Sequence, residues 1–296
     1  MKFKYIIHFI FLIAIFVSCK NDIKSLNQNE NPNETGYDAD SLDIKIFDKI
    51  VEYAKSNNLS DKSFPEIEIS IARYFSGTPY VAHTLEKEGE EHLIVNLREL
   101  DCTTFVENVV SLSSCIKNKT TDFETFCKTL AKFRYRDGKI DKYPSRLHYF
   151  TDWLSDNEKK QLIIIVSNSF GEDNYNPAVN FMSTHPQYYP QLKNDTFVKQ
   201  IAEMEKKISN LKFKFIPKEK INQFEKFIQN GDIIAITTTI DGLDIAHVGL
   251  AYFVDGRLHL FHASSTHKKV VISDKTLEDY LRNIHKDSGI IVARLK

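Results

Sequence analysis

The chain has 296 residues, with 39 Lys and Arg against 40 Asp and Glu, a formal charge of −1. That balance argues against a basic nucleic-acid binder or an acidic tail protein. Hydrophobic residues at 42% and aromatics at 12% are enough for a substantial core, which excludes a generically disordered chain. The four cysteines, Cys19, Cys102, Cys115 and Cys127, are too few for a disulfide scaffold. A globular enzyme or binding domain remains.

Met1–Cys19 reads as a targeting device. Lys2 and Lys4 precede an apolar run, Tyr5–Val17, broken only by His8. The run has the length of a signal-peptide core and is short for a membrane span of roughly 20 residues. Ser18-Cys19 resembles a bacterial lipobox, in which the cysteine is lipidated and becomes the first mature residue; Phe16 stands where a smaller aliphatic residue is usual. Removing residues 1–18 takes two lysines, so the mature charge is 37 − 40 = −3. Residues 19–40 are Asn-rich and read as a flexible tether. The expected organisation is a signal peptide (1–18), a lipidated Cys19 with its tether (19–40), and one folded domain (41–296). An uncleaved anchor is the alternative; either way the domain works outside the cytoplasm, held to a membrane.

Helical spacing of Ile46, Phe47, Ile50, Val51 and Ala54 predicts a helix over Leu42–Lys55. A second is predicted over Glu66–Ser76, opened by Pro65 and closed by Gly77. Further helices are expected over Thr103–Ile116, Asp122–Arg134 and Thr196–Ile208, with a buried strand at 162–166. The last third changes character: Ile233–Ile240, Ile245–Val254, Arg257–Ala263, Lys269–Ser273 and Ile290–Leu295 are β-like, punctuated by Asp241-Gly242 and Asp255-Gly256. Helices first and an antiparallel meander later predict an α+β fold.

The stretch around Cys102 carries the first chemical signal. Phe105, Val106, Val109, Val110, Leu112 and Ile116 form an apolar stripe that begins just after it. Asp101 is a natural N-cap, and Thr104 with Glu107 has capping-box spacing. Cys102 is therefore expected in a first helical turn, where the dipole favours a thiolate. The alternative is a small buried hydrophobe, the reading preferred for Cys115 and Cys127.

A base for Cys102 has to come from elsewhere, and the Asp255-Gly256 turn locates one by arithmetic. If those two residues are the turn, Val254 pairs with Arg257 and opposed positions sum to 511. Gly249 then faces His262, and His247 faces Ser264. Alternation puts all four on one face. His247 and His262 become diagonal neighbours, roughly 7–8 Å apart at Cα, with room at Gly249. One imidazole can take a thiol proton while the other fixes its tautomer, Ser264 being the fallback for the second role. His259 and His267 read as surface residues. Zinc held by the two histidines and Cys102 is a further reading, although no HExxH or CxxC accompanies them.

The ordered pattern Tyr80, Asp101-Cys102, Gly231-Asp232, His247-Val248-Gly249 and His262-Ala263-Ser264 resembles the NlpC-type papain-like cell-wall cysteine peptidases. More narrowly, LDCTTFVE (100–107), RYRDG (134–138), SRLHYFTDW (145–153) and GLDIAHVGL (242–250) resemble the N-acetylmuramoyl-L-alanine amidase-like branch. The likeness runs from about Gly77 to the C-terminus. The superfamily commonly has DCSG where this chain has DCTTF.

The resemblance implies a papain-like NlpC-type α+β fold, N-terminal helices on a central antiparallel sheet. It implies Cys102 as nucleophile, His247 as base and His262 as orienting residue, with no metal and no cofactor. Tyr80 would position the nucleophile, and Asp101 stands where relatives hold a substrate amine. Arg146, His148, Tyr149 and Asp152 would form a substrate wall; an arginine there could pair bidentately with a stem-peptide carboxylate. The expected activity is extracytoplasmic cleavage of the muramoyl–L-alanine amide in peptidoglycan or its fragments, through a thioester. Two alternatives stand beside it: a γ-D-glutamyl-diaminopimelate endopeptidase, and a wall-binding lipoprotein without turnover. No nucleic acid is expected as a partner.

Overall fold

The structure, a computed structural model, describes residues 36–87 and 89–296. The leader, Cys19 and nearly all of the tether lie outside the described residues.

Helices α1 (Ser41–Ser56), α2 (Phe64–Tyr74), α3 (Cys102–Lys117) and α4 (Phe123–Arg134) come first. A two-stranded parallel ribbon joins β1 (Tyr37–Ala39) to β2 (Leu93–Val95) across them. Then come α5 (Phe150–Lys159), β3 (Ile163–Ile164), β4 (Asp173–Tyr175), α6 (Asp195–Ile208) and β5 (Phe213–Pro217). The last third is β6 (Ile233–Thr238), β7 (Ile245–Val254), β8 (Arg257–Ser264), β9 (Lys269–Ile272), α7 (Leu277–Arg282) and β10 (Asp287–Leu295). The sheet has the order β4-β5-β10-β6-β7-β8-β9, with β3 pairing off β10, and its strand pairs are antiparallel. The fold is α+β, as the order of patterns predicts.

Both sheet faces are buried, which is why its strands read as near-continuous apolar runs. On β6, Ile233 and Ala235 join the helical core while Ile234 and Ile236 join a second cluster with Leu277 and Leu281 of α7. The helical core draws on residues from Phe47 to Leu295. Its centre is α3, where Phe105, Val106, Val109 and Val110 are fully buried. Burial of that stripe, at roughly 1.5–3 kcal/mol per large apolar side chain, holds the helix against the sheet. Cys115 and Cys127 are free thiols inside this core.

The segment 145–153 divides in two. Residues from Phe150 onward form α5, with Trp153 and Leu154 in the core; before it Ser145 ends a short 3-10 turn, and Arg146 and Tyr149 are extended, Arg146 bridging to Tyr135. Tyr143 and Tyr149 join a third cluster with Ile201 and Ile208 of α6.

Candidate active site

Cys102 is the first residue of α3. Asp101 caps the helix: its Oδ1 accepts from the Thr104 N–H and hydroxyl, both at 2.8 Å, and the Thr104 hydroxyl accepts from the Asp101 N–H at 2.9 Å. The capping box closes on Thr104, not on Glu107. Glu107 instead turns inward and takes Arg134 Nε at 2.7 Å, both side chains 2% exposed. An acceptor cap is worth about 1 kcal/mol, and here it fixes the turn that presents the sulfur.

The Cys102 thiol meets the N–H of Val248 on β7 and the N–H and hydroxyl of Thr103. Burial, reinforced by the charge of Asp101, pushes this thiol up to about 12 despite those donors. The expected thiolate at the helix start is thus outweighed. A helix end offers at most about 2 kcal/mol, less than the cost of desolvating a bare anion.

The hairpin arithmetic holds where the ladder runs. Val254 pairs with Arg257 and Leu250 with Phe261, and Asp255 and Gly256 take φ of 48° and 77° at the turn. Alternation sends Val248 and Leu250 to the helical core and turns His247 and His262 to the opposite face. His247 Nε2 lies 2.6 Å from His262 Nδ1, their rings nearly perpendicular at 86°. Gly249 makes this possible: a Cβ there would stand 2.9 Å from His262 Cβ and 2.8 Å from the Phe261 carbonyl oxygen. Burial lowers His247 to about 4 and, with the neighbouring imidazole, His262 to about 3. Both are neutral at pH 7. If His247 carries its proton on Nε2 and donates it to His262, its Nδ1 is left as an acceptor.

A cavity of about 250 Å³ brings Asp101, Cys102, His247 and Val248 together with Arg146, His148 and Tyr149. Tyr80, close enough to couple to Cys102 and Asp101, is raised to about 12, chiefly by burial. Asp152 and Ser264 are placed elsewhere. Asp152 takes both Nη atoms of Arg136, at 2.9 and 2.6 Å. The Ser264 hydroxyl accepts from the His267 N–H at 3.1 Å, closing the turn after β8.

Arg146 lines the cavity already engaged. Its Nε and Nη2 donate to the two oxygens of Glu91 at 2.9 and 3.0 Å, and Nη1 donates to Glu86 at 2.8 Å. Three of its five N–H groups are thus spent on protein carboxylates, and Glu91 fills the Nε–Nη2 edge that a substrate carboxylate would use. His148 Nε2 donates to the Tyr143 carbonyl at 2.9 Å and is lowered to about 3 by burial and by Arg146. The Tyr149 hydroxyl donates to Glu205 at 2.7 Å and accepts from the Met182 N–H. His259, expected at the surface, is 9% exposed and bonded to the Ser273 carbonyl.

The structure adds two residues to which the sequence reading gave no role. Tyr280 of α7 packs edge-on to His262 with ring centroids 5.7 Å apart. Asp244 lines the cavity and takes the N–H and hydroxyl of Thr151, each at 2.7 Å, tying the start of β7 to α5. Its place beside the HVG strand was the available signal; Tyr280 had none. Among the described residues no group of three His, Cys, Asp or Glu is arranged to hold a metal ion, and no helix is long and apolar enough to cross a membrane.

A helix-start cysteine shares one cavity with His247, which is itself held by His262, on an α+β scaffold. The family model described as N-acetylmuramoyl-L-alanine amidase-like matches residues 70–290, and the chain belongs to that family. Among solved structures, an N-acetylmuramoyl-L-alanine amidase from Bacteroides uniformis is 40% identical with a TM-score of 0.76, covering 79% of this chain and 99% of its own. A Bacteroides fragilis protein described as a candidate xylanase is also 40% identical, TM-score 0.73, covering 76% and 99%. A Legionella pneumophila protein at 24% identity and TM-score 0.65, covering 86% and 96%, shares the fold. No curated protein matches the chain.

Proposed function

We propose that the chain is a cysteine-dependent N-acetylmuramoyl-L-alanine amidase of papain-like, NlpC-type descent, acting on peptidoglycan or its fragments. The observation that carries this reading is the 2.6 Å contact between His247 and His262 in a site that also presents Cys102 at a helix start. A binder without turnover has no use for an oriented base beside a partly buried thiol.

In the proposed reaction His247 Nδ1 takes the thiol proton as Cys102 Sγ attacks the lactyl carbonyl. The Cys102 N–H, unpaired at the helix start, donates to the developing oxyanion. Collapse breaks the C–N bond, and His247 returns the proton to the departing alanine amine. Water, deprotonated by the same imidazole, then hydrolyses the thioester and restores the thiol. The thiolate exists only while the proton sits on His247. His262 holds the tautomer that keeps Nδ1 available.

Two-carboxylate glycoside hydrolysis, as the xylanase description of one neighbour would require, is disfavoured by how the cavity's carboxylates are held. Glu86 is bound by Arg146, Asp101 by Thr104, Glu107 by Arg134 and Asp244 by Thr151. The sequence supports export and anchoring: the leader ends at Cys19, and the mass of the membrane-extracted chain should be that of residues 19–296 plus lipid. Finding an unmodified Met1 would remove the lipid anchor and favour the uncleaved one.

The principal test is digestion of a defined disaccharide-tetrapeptide followed by mass spectrometry. Free disaccharide and tetrapeptide are expected, and Cys102→Ala should reduce their formation by at least about 10³-fold. Disaccharide-dipeptide would transfer the reading to the endopeptidase, and undiminished turnover by Cys102→Ala would sink the cysteine mechanism.

A further inference from the structure

The cavity contains two guanidiniums, and both are consumed by the protein itself. Arg134 is held by Glu107 and by the Ile94 carbonyl, the latter at 2.6 Å. Arg146 is gripped bidentately by Glu91, stacked over the Tyr143 ring at 5.0 Å, and only its remaining Nη1 reaches Glu86. Glu91 alone neutralises Arg146, so Glu86 is one negative charge in excess. Its side chain is 15% exposed, against 7% for Arg146 and 4% for Glu91, and it lies on the cavity wall. Asp101 and Asp244, also on the wall, are held by N–H and hydroxyl donors rather than by cations.

We propose that the Glu86–Arg146–Glu91 triad is an electrostatic selector that determines which acyl group the site accepts. It closes the arginine that a carboxylate receptor would leave open, and it sets the charge of Glu86 against any anion beside the scissile carbonyl. This rests on the amidase reading and deepens it. A muramoyl group offers an uncharged lactyl amide, hydroxyls and an acetamido group, all compatible with a wall of acceptors. A γ-D-glutamyl group carries its α-carboxylate close to the bond to be cut, and the wall repels it. The cavity's apolar contributors Leu85, Phe150 and Ile245 displace water from part of its wall, where such repulsion is stronger than in bulk water. Rejection built from an unpaired charge is how a site gains specificity beyond its attractive contacts. The same charge works on the product, because thioester hydrolysis leaves a lactate carboxylate facing Glu86 and favours its departure.

The experiment compares two competitive inhibitors of the full mature chain, one charged and one neutral at the lactyl carbonyl: N-acetylmuramic acid and its methylamide. Wild type is expected to bind the methylamide more tightly, and Glu86→Gln to shrink the ratio of inhibition constants by about tenfold. The glutamine keeps an oxygen for Arg146, and a melting curve reports whether the fold survives. Glu91→Gln, removing a charge from behind the guanidinium, should move the ratio in the same direction and less. An unchanged ratio in both variants, or tighter binding of the acid by wild type, overturns the selector while leaving the amidase intact. Failure of wild type to cleave N-acetylmuramoyl-L-alanine at all would take down both readings together.

Discussion

The two sides of the cavity are built on different principles. On the sheet side, His247 and His262 are placed by backbone register, and Gly249 gives them space. On the facing wall, Arg146, His148 and Tyr149 come from an extended segment locked by buried charge and by hydrogen bonds to Glu86, Glu91, Tyr143 and Glu205. The sheet presents uncharged groups able to move a proton. The wall presents charges already satisfied, with one left over. The contrast suggests a division of labour, in which rigid strands carry the chemistry and the wall selects what reaches it.

The strongest way to break this comparison is to strip the sheet side. His247→Ala should lower kcat by about 10²–10⁴-fold, the usual contribution of a positioned general base. His262→Ala should cost less, because the base remains and loses only its orientation. His262→Asn, which returns a side-chain oxygen as acceptor for His247 Nε2–H, should recover part of the loss. Stopped assays on folded, melting-matched variants read this directly. If His262→Ala leaves kcat untouched, the imidazole pair is a packing feature and the division fails.

How far each side could be read from the sequence follows from the same difference. The imidazole pair was accessible because an Asp-Gly turn fixes register and a period of two then fixes faces, so three numbers, 247, 249 and 262, locate a contact. Cys102 was accessible because caps and apolar periodicity are local. The wall was only half legible. Its segment stands out by resemblance, yet the partners that decide its chemistry, Glu86 and Glu91, lie 55 to 60 positions away on a loop without periodicity. Nothing local distinguishes an arginine offered to a ligand from one closed by distant carboxylates. Asp152 shows the same blindness: its partner Arg136 sits across the α4–α5 connection, and nothing in the spacing announces the pair. The thiol's charge state went astray for a related reason, since burial is a tertiary quantity that no cap or dipole predicts.

The smallest effect, and one that spans both sides, is in acid stability. His148 on the wall and His247 and His262 on the sheet are held near 3, 4 and 3 by burial, against 6.5 in an unfolded chain. The unfolded chain therefore takes up these protons first. The stability they lend is complete above about pH 6.5 and drains as pH falls toward the folded values, at about 1.4 kcal/mol per unit for each. Glu68 and Asp287, both raised by burial, the latter to about 6, act in the opposite sense below neutrality. The informative quantity is thus the difference between variant and wild type. His148→Gln keeps a donor for the Tyr143 carbonyl and removes one titration, so its stability-versus-pH slope between pH 4.5 and 6 should be shallower by about 1.4 kcal/mol per unit. Urea unfolding followed by Trp153, the chain's one tryptophan and fully buried, measures it. An unaltered slope would mean that His148 is solvated enough to titrate normally, and a wall that admits water there could not sustain the charge selection assigned to Glu86.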